Sequence, residues 1–243
     1  MKILVCISHV PDTTTKIVFT DDKKQLNKNG VQFIINPYDE LALTQSLLLA
    51  EQAGGTVTVV CVAGIDAEPT LRKCLAIGAT DAVRINAEPL DGFFVAKEIA
   101  AYAQPQGYDI IFTGRESIDY NGGQVGGMLA ELLGLPHINV ITSIALSGQV
   151  ATIERDIDGG RETIEARTPF VVSAQKDLCE PRIPNMRGIM AARNKPFLVV
   201  EPTSTTAPTE VLAHSYPAPK QGCKFVADAN ELVALLATEA KII

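Results

Sequence analysis

Four glycines, Gly122, Gly123, Gly126 and Gly127, punctuate the stretch YDIIFTGRESIDYNGGQVGGMLAELLGLP from Tyr108 to Pro136, where an apolar run meets a glycine-rich turn and then an amphipathic segment. The chemistry this arrangement suits is the holding of a phosphate. Ile110, Ile111 and Phe112 read as a short buried strand, and Val125, Met128, Leu129, Leu132 and Leu133 recur at the spacing of one helical face. The turn between them then sits at a strand's carboxyl end, the edge where open α/β sheets collect ligands. There the first N–H groups of the following helix are unpaired donors carrying partial positive charge. Glycines let a phosphate approach that backbone closely. They also suit a plain tight βα turn, so spacing alone leaves both readings open.

Other chemistry is absent from the pattern. The three histidines, His9, His137 and His214, are scattered and suggest neither a metal site nor a triad. There is no H-E-x-x-H, no G-x-S-x-G elbow, no P-loop lysine after the glycines and no G-x-G-x-x-G fingerprint. Asp21 and Asp22 precede Lys23 and Lys24, which reads as a solvated turn. A nucleotide cradle without nucleophile or base points to a carrier or binding subunit, not to an enzyme.

Composition narrows the class. A formal charge of −7 and a pI near 5.0 argue against nucleic acid, whose phosphates need clustered Lys and Arg; only Arg187 to Lys195 is locally basic. The five cysteines, Cys6, Cys61, Cys74, Cys179 and Cys223, lie far apart without a CxxC pair, as in a reduced, cytoplasmic protein. MKILVCISHVPD reads as a first strand and not as a signal peptide. No apolar run approaches the ~20 residues of a membrane helix, so membrane insertion is not expected.

Strand and helix signals alternate through the first two-thirds: strand Lys2 to Ile7, helix Asn36 to Ala53, strand Val57 to Val62, helix Pro69 to Ile77, strand Ala82 to Ile85, helix Gly92 to Ala103, then the strand holding Ile110. Asn36 suits an N-cap, Pro37 the first helical position, and Asp39 and Glu40 the positive end of the helix dipole. Such alternation predicts an α/β fold with a doubly wound, mainly parallel sheet. Val150 to Asp156 and Glu162 to Arg167, around Asp158-Gly159-Gly160, predict a β-hairpin, and Thr168 to Ala174 one more strand. Glu201 to Pro219 is rich in Pro, Thr, Ser and Ala and predicts an extended arm. A last helix follows, opened by a capping-box-like Asp228 and Glu231, with Leu232, Val233, Leu235 and Leu236 on its apolar face. The expected division is an α/β unit over residues 1–195 and an arm with its helix over residues 196–243.

VPDT at Val10, NPYDE at Asn36, the loop from Gly114, IERDIDGGRETIEARTPFVVSA from Ile153 and CEPRIPNMRGIMAARNK from Cys179 to Lys195 stand in a fixed order. In type, spacing and order they resemble electron transfer flavoprotein beta subunits. Ile153, Arg155, Asp158, Gly159, Gly160, Glu162, Ile164, Pro169, Val171, Val172 and Ser173 fit that family's signature.

The resemblance implies a Rossmann-like, adenine-nucleotide-binding fold and a non-catalytic subunit. Its partner would be an alpha subunit holding most of an FAD, on which the C-terminal arm and helix would dock. Electrons would pass from acyl-CoA dehydrogenase-type donors to a quinone reductase or another acceptor. The implied adenine-nucleotide contacts fall on Cys6, Asn36, Pro37, Tyr38, Asp39, Val62 and the loop Gly114, Arg115, Glu116, Ser117, Ile118, Asp119, Tyr120, Asn121, Gly122, Gly123, Gln124, Val125. Asp119 reads equally as a ribose contact or as a loop-fixing turn residue. Partner recognition would fall on Arg182, Ile183, Pro184, Asn185, Met186, Arg187, Gly188, Ile189 and Met190, with Met186 as an apolar anchor.

Members differ in the nucleotide: some hold AMP, others a second FAD and split electron pairs between two acceptors. The latter usually carry DGDT before QVG; here Gln124-Val125-Gly126 follows Asp119-Tyr120-Asn121-Gly122-Gly123, which matches neither group fully. AMP is the expectation and a second FAD the alternative. Thr13 stands where some members place an aromatic that touches the alpha-subunit flavin. A stand-alone nucleotide-binding regulatory module of the stress-protein type would share the sheet and the glycine loop. It would not need the hairpin, the Met186 segment or the arm.

Overall fold

The computed structural model describes residues 1–220 and 222–243. The chain runs β1 (Lys2–Cys6), β2 (His9–Pro11), β3 (Phe33–Ile35), α1 (Pro37–Ala53), β4 (Thr56–Val62), α2 (Glu68–Ile77), β5 (Asp81–Ile85), α3 (Gly92–Ala103), β6 (Ile110–Gly114), α4 (Val125–Leu133), β7 (His137–Ser147), β8 (Val150–Ile157), β9 (Gly160–Arg167), β10 (Phe170–Ala174), α5 (Met186–Ala192), β11 (Phe197–Val200) and α6 (Ala229–Leu235). Nine strands form one sheet in the order β11-β5-β4-β1-β6-β10-β7-β8-β9; β2 and β3 pair separately. From β11 to β7 neighbours are parallel, and β8 and β9 then add antiparallel. The fold is the expected doubly wound α/β type with an added hairpin.

Burial on both faces explains the apolar runs of the central strands. Ile3 and Val5 of β1 face a core with Leu43, Leu47 and Leu49 of α1 and Leu71 and Leu75 of α2. Leu4 and Cys6 face the other way, onto Phe94 and Ile99 of α3 and Leu129 of α4. Local signals set many boundaries. Pro37 opens α1 and Gly54 ends it in the left-handed conformation at φ 67°. The Asp91 carboxylate caps α3, accepting from Phe94 N at 2.8 Å. Gly159, at φ 86°, permits the Asp158-Gly159 turn of the hairpin.

Three features differ from the reading of the sequence. Asn36 precedes α1 without capping it through its side chain. β11, beyond position 195, joins the edge of the main sheet beside β5. Residues 186–192, part of the expected recognition loop, are helical: Asn185 Oδ1 accepts from Gly188 N at 2.8 Å, and Gly188 lies so close to Ala76 O of α2 that a Cβ there would overlap it. The arm after β11 is strapped down at its start, because the buried Glu98 of α3 accepts from Thr203 N (2.6 Å), Thr203 Oγ1 (2.8 Å) and Ser204 N (2.9 Å). It then reaches residues 17–24, where Phe19 stacks on His214 and Lys24 pairs with Glu210.

Candidate nucleotide-binding site

Strand order reverses at β1, because the chain proceeds to β4 and β5 on one side and returns to β6 on the other. The helix that follows β1 packs on one face and the helix that follows β6 on the opposite face. The carboxyl ends of β1 and β6 therefore flank a crevice, the topological position where doubly wound sheets take ligands. Cys6 and Val62 end the adjacent strands β1 and β4, both buried and both on the α3/α4 side. Burial pushes the Cys6 thiol far above its ordinary value, which makes it a small apolar lining group and not a nucleophile.

The NPYDE segment supplies the fixed wall. Asp39 is buried, and its carboxylate accepts from Ser8 N beyond β1 (2.7 Å), Gly114 N at the end of β6 (2.9 Å) and Asn36 Nδ2 (3.0 Å). Asn36, also buried, donates to Glu116 O at 2.8 Å and accepts from Ile118 N at 3.3 Å. Burial lifts the Asp39 carboxyl to about 7, the amides that donate to it notwithstanding. Gly114 has no space for a side chain: a Cβ would overlap Asp39 Oδ1 and lie 2.8 Å from Tyr38 Cβ.

From Gly114 the loop folds on itself. Ser117 bridges to Gly122, Asn121 adopts φ 50°, and Asp119 Oδ1 accepts from Tyr120 N (2.9 Å) and Ser117 Oγ. Arg115 and Glu116 pair with each other at 3.5 Å, and Arg115 also reaches Gln175. Gly122, Gly123 and Gln124 are solvent-exposed, and no atom lies within 4 Å of a Cβ built on Gly122. α4 starts at Val125 without a side-chain cap, so the helix itself leaves its first N–H groups unsatisfied. At Gly126 a Cβ would lie 2.9 Å from Thr113 Oγ1 and 3.0 Å from His137 Nε2, two buried atoms without a hydrogen-bond partner among the described residues. The glycine brings the helix start down onto β6 and β7. Thr113 and His137 were not singled out from the sequence; their signal is a polar residue beside Gly114 and another just after Pro136.

These groups fit an adenine nucleotide. Uncapped amides and exposed glycines suit its phosphate, and the apolar ends of β1 and β4 suit a ring. Of the residues the resemblance implied, Cys6, Val62 and the loop from Gly114 to Val125 converge here. The side chains of Asn36 and Asp39 are directed into the protein beneath the site, and the Asp119 Oδ1 atom is engaged within its own loop. A hollow of about 490 Å³ between Met1, Leu49, Asp109, Gly148 and Thr168 lies at the opposite edge, at the amino ends of the strands.

The Arg182–Met190 segment lies apart from the crevice. Arg182 makes a two-pronged pair with Glu51 of α1 (2.7 and 3.1 Å), and its N–H donates to Thr44 Oγ1 at 3.0 Å. Met186 is 74% exposed, and Ile183, Ile189 and Met190 are exposed around it.

The family description "Electron transfer flavoprotein domain" matches residues 24–205. The "Electron transfer flavoprotein subunit beta" of Bacillus subtilis (strain 168) is 37% identical over 259 aligned positions, covering 100% of both chains. The chain belongs to the electron transfer flavoprotein beta-subunit family. The mitochondrial beta subunit of Oryza sativa subsp. japonica is 31% identical, again over 100% of both chains. The "Acryloyl-CoA reductase electron transfer subunit gamma" of Anaerotignum propionicum is 35% identical over 83% of this chain and 78% of its own length. Membership in this family associates the chain with electron transfer, a flavin and an alpha subunit. Among the described residues no helix is long and apolar enough to cross a membrane, and no group of His, Cys, Asp and Glu suits a metal ion.

Proposed function

We propose that this chain is the beta subunit of a cytoplasmic heterodimeric electron transfer flavoprotein and holds a structural AMP in the crevice between β1 and β6, while the alpha subunit holds most of the FAD. The observation that carries the reading is the uncapped start of α4 behind a solvent-open glycine rim, at the sheet's topological switch point. The amides of Gly122 to Val125 would hold the phosphate, and Cys6 and Val62 would line the base. Flavin, when bound in the heterodimer, supplies the redox chemistry. The part of this chain is to bind and orient: it contributes a fixed nucleotide, a surface for the alpha subunit and a surface for electron donors.

Two surfaces support the partner assignments. Ile183, Met186 and Met190 form an exposed apolar set next to the Arg182–Glu51 pair, a composition suited to docking a dehydrogenase. The name of the Anaerotignum relative ties that protein to an acyl-CoA-type redox enzyme; here the donor would be an acyl-CoA dehydrogenase and the acceptor a quinone reductase. The arm and α6, with Leu232 and Val233 exposed, would dock on the alpha subunit.

A second FAD is the alternative, favoured by the openness of the rim at Gly122, which leaves room for a longer ligand. The deciding experiment is to co-express the chain with its alpha subunit, denature the purified complex and identify the released nucleotides chromatographically. One FAD and one AMP per heterodimer is the expected result. Two FADs would replace AMP with the alternative, and ATP on a homodimer would overturn the carrier reading in favour of a regulatory module.

A further inference from the structure

Asp39 and Asn36 sit where the nucleotide contacts were expected, yet their side chains are occupied by the protein itself. Asp39 Oδ1 receives Gly114 N and Asn36 Nδ2, Oδ2 receives Ser8 N, and Asn36 extends the network to Glu116 O and Ile118 N. Three pieces of chain that form the crevice are thereby tied at one buried point: the exit of β1, the exit of β6 and the first half of the glycine loop. Resting on the nucleotide reading above, we propose that Asp39 is a positioning residue, a brace that holds the glycine loop in its nucleotide-receiving shape without touching the nucleotide.

The brace depends on the charged carboxylate. Ionised, it has acceptor sites for all three donors; protonated, one oxygen carries a hydrogen directed into a cluster of N–H donors, and one of them loses its acceptor. No cation pairs with Asp39 among the described residues. The titratable groups around it are Cys6 of β1, Cys61 of β4 and Cys74 of α2, all held neutral by burial. Glu40 of α1 is paired with Lys73, and Arg115 with Glu116. With its carboxyl lifted to about 7, the brace tightens and loosens across neutral pH. Stability runs the other way. A carboxyl whose value is raised on folding favours the fold most below its ordinary value of 3.8, and that contribution is lost as pH rises through 7. Weaker nucleotide binding at pH 6 than at pH 8 is therefore not a symptom of this group unfolding the chain.

The test uses the nucleotide-stripped heterodimer and adenosine 5′-sulfate, whose fixed single charge does not titrate between pH 6 and 8. Wild-type Kd should rise by up to about tenfold from pH 8 to pH 6 as the braced fraction falls. Asp39→Asn, which keeps the shape but presents N–H groups to a donor, should bind at the weak level at every pH. A flat wild-type profile, or an Asp39→Asn variant with wild-type affinity and profile, would overturn the brace. If the variant does not fold, the wild-type profile decides alone. Failure of the nucleotide reading looks different: neither AMP nor adenosine 5′-sulfate would bind wild type at any pH.

Discussion

At the crevice between β1 and β6 the side chains of Asn36, Asp39 and Asp119 are bonded to other parts of the same chain, and the surface offered outward is backbone: exposed glycines and an uncapped helix start. Between Ile183 and Met190 the order is inverted, since the backbone is tied down by Asn185 and Gly188 while apolar side chains stand in solvent. Amides in a rigid frame recognise an anion that every nucleotide carries, and exposed, pliable methionines suit protein surfaces of varied shape. On the proposed reading, one region keeps a ligand and the other meets partners and releases them.

The largest effect is expected at Gly114. Gly114→Ala places a methyl group on Asp39 and Tyr38, so the substitution should cost about 3 kcal/mol in denaturant unfolding, the upper part of the range for overpacking a filled site. It should also empty the crevice of nucleotide. Unchanged stability with full nucleotide content would show that the close approach of α1 to β6 is not required. Met186→Ala tests the opposite region. Because Met186 is exposed, the variant should keep its nucleotide, its stability and its alpha subunit. Electron transfer from an acyl-CoA dehydrogenase should lose about 2 kcal/mol in kcat/KM, roughly thirtyfold, as for a central interface anchor. A wild-type rate would remove the anchor role.

What the sequence revealed follows from how local each signal is. Pro37 and Gly54 mark the ends of α1, Asp158-Gly159 marks a hairpin, and alternating apolar runs mark a doubly wound sheet, because each is decided within a few residues. β11 escaped notice because FLVV follows a proline and acquires meaning only through pairing with β5, far earlier in the chain. α5 contains a glycine that isolated helices disfavour, and that glycine is where the helix lies closest on Ala76 of α2. Lys195 looked like part of a basic surface, yet its ammonium donates to Leu75 O and Ala79 O at the end of α2. Asp39 read as a charge favouring a helix start; its main partners, Ser8 and Gly114, lie 31 and 75 residues away, beyond any local pattern. In the crevice, glycine spacing is visible in one dimension, and the buried hydrogen-bond network of Asn36 and Asp39 is not.

On the proposed function, the amides at the start of α4 receive an adenylate phosphate. The most direct measurement is a crystal structure of the chain with its alpha subunit and bound nucleotide. Phosphate oxygens should lie within hydrogen-bond distance of the backbone N–H groups of Gly122, Gly123, Gln124 or Val125, with Asp39 still bonded to Ser8 and Gly114. A phosphate bound elsewhere, or a crevice closed by the protein's own side chains, would contradict it.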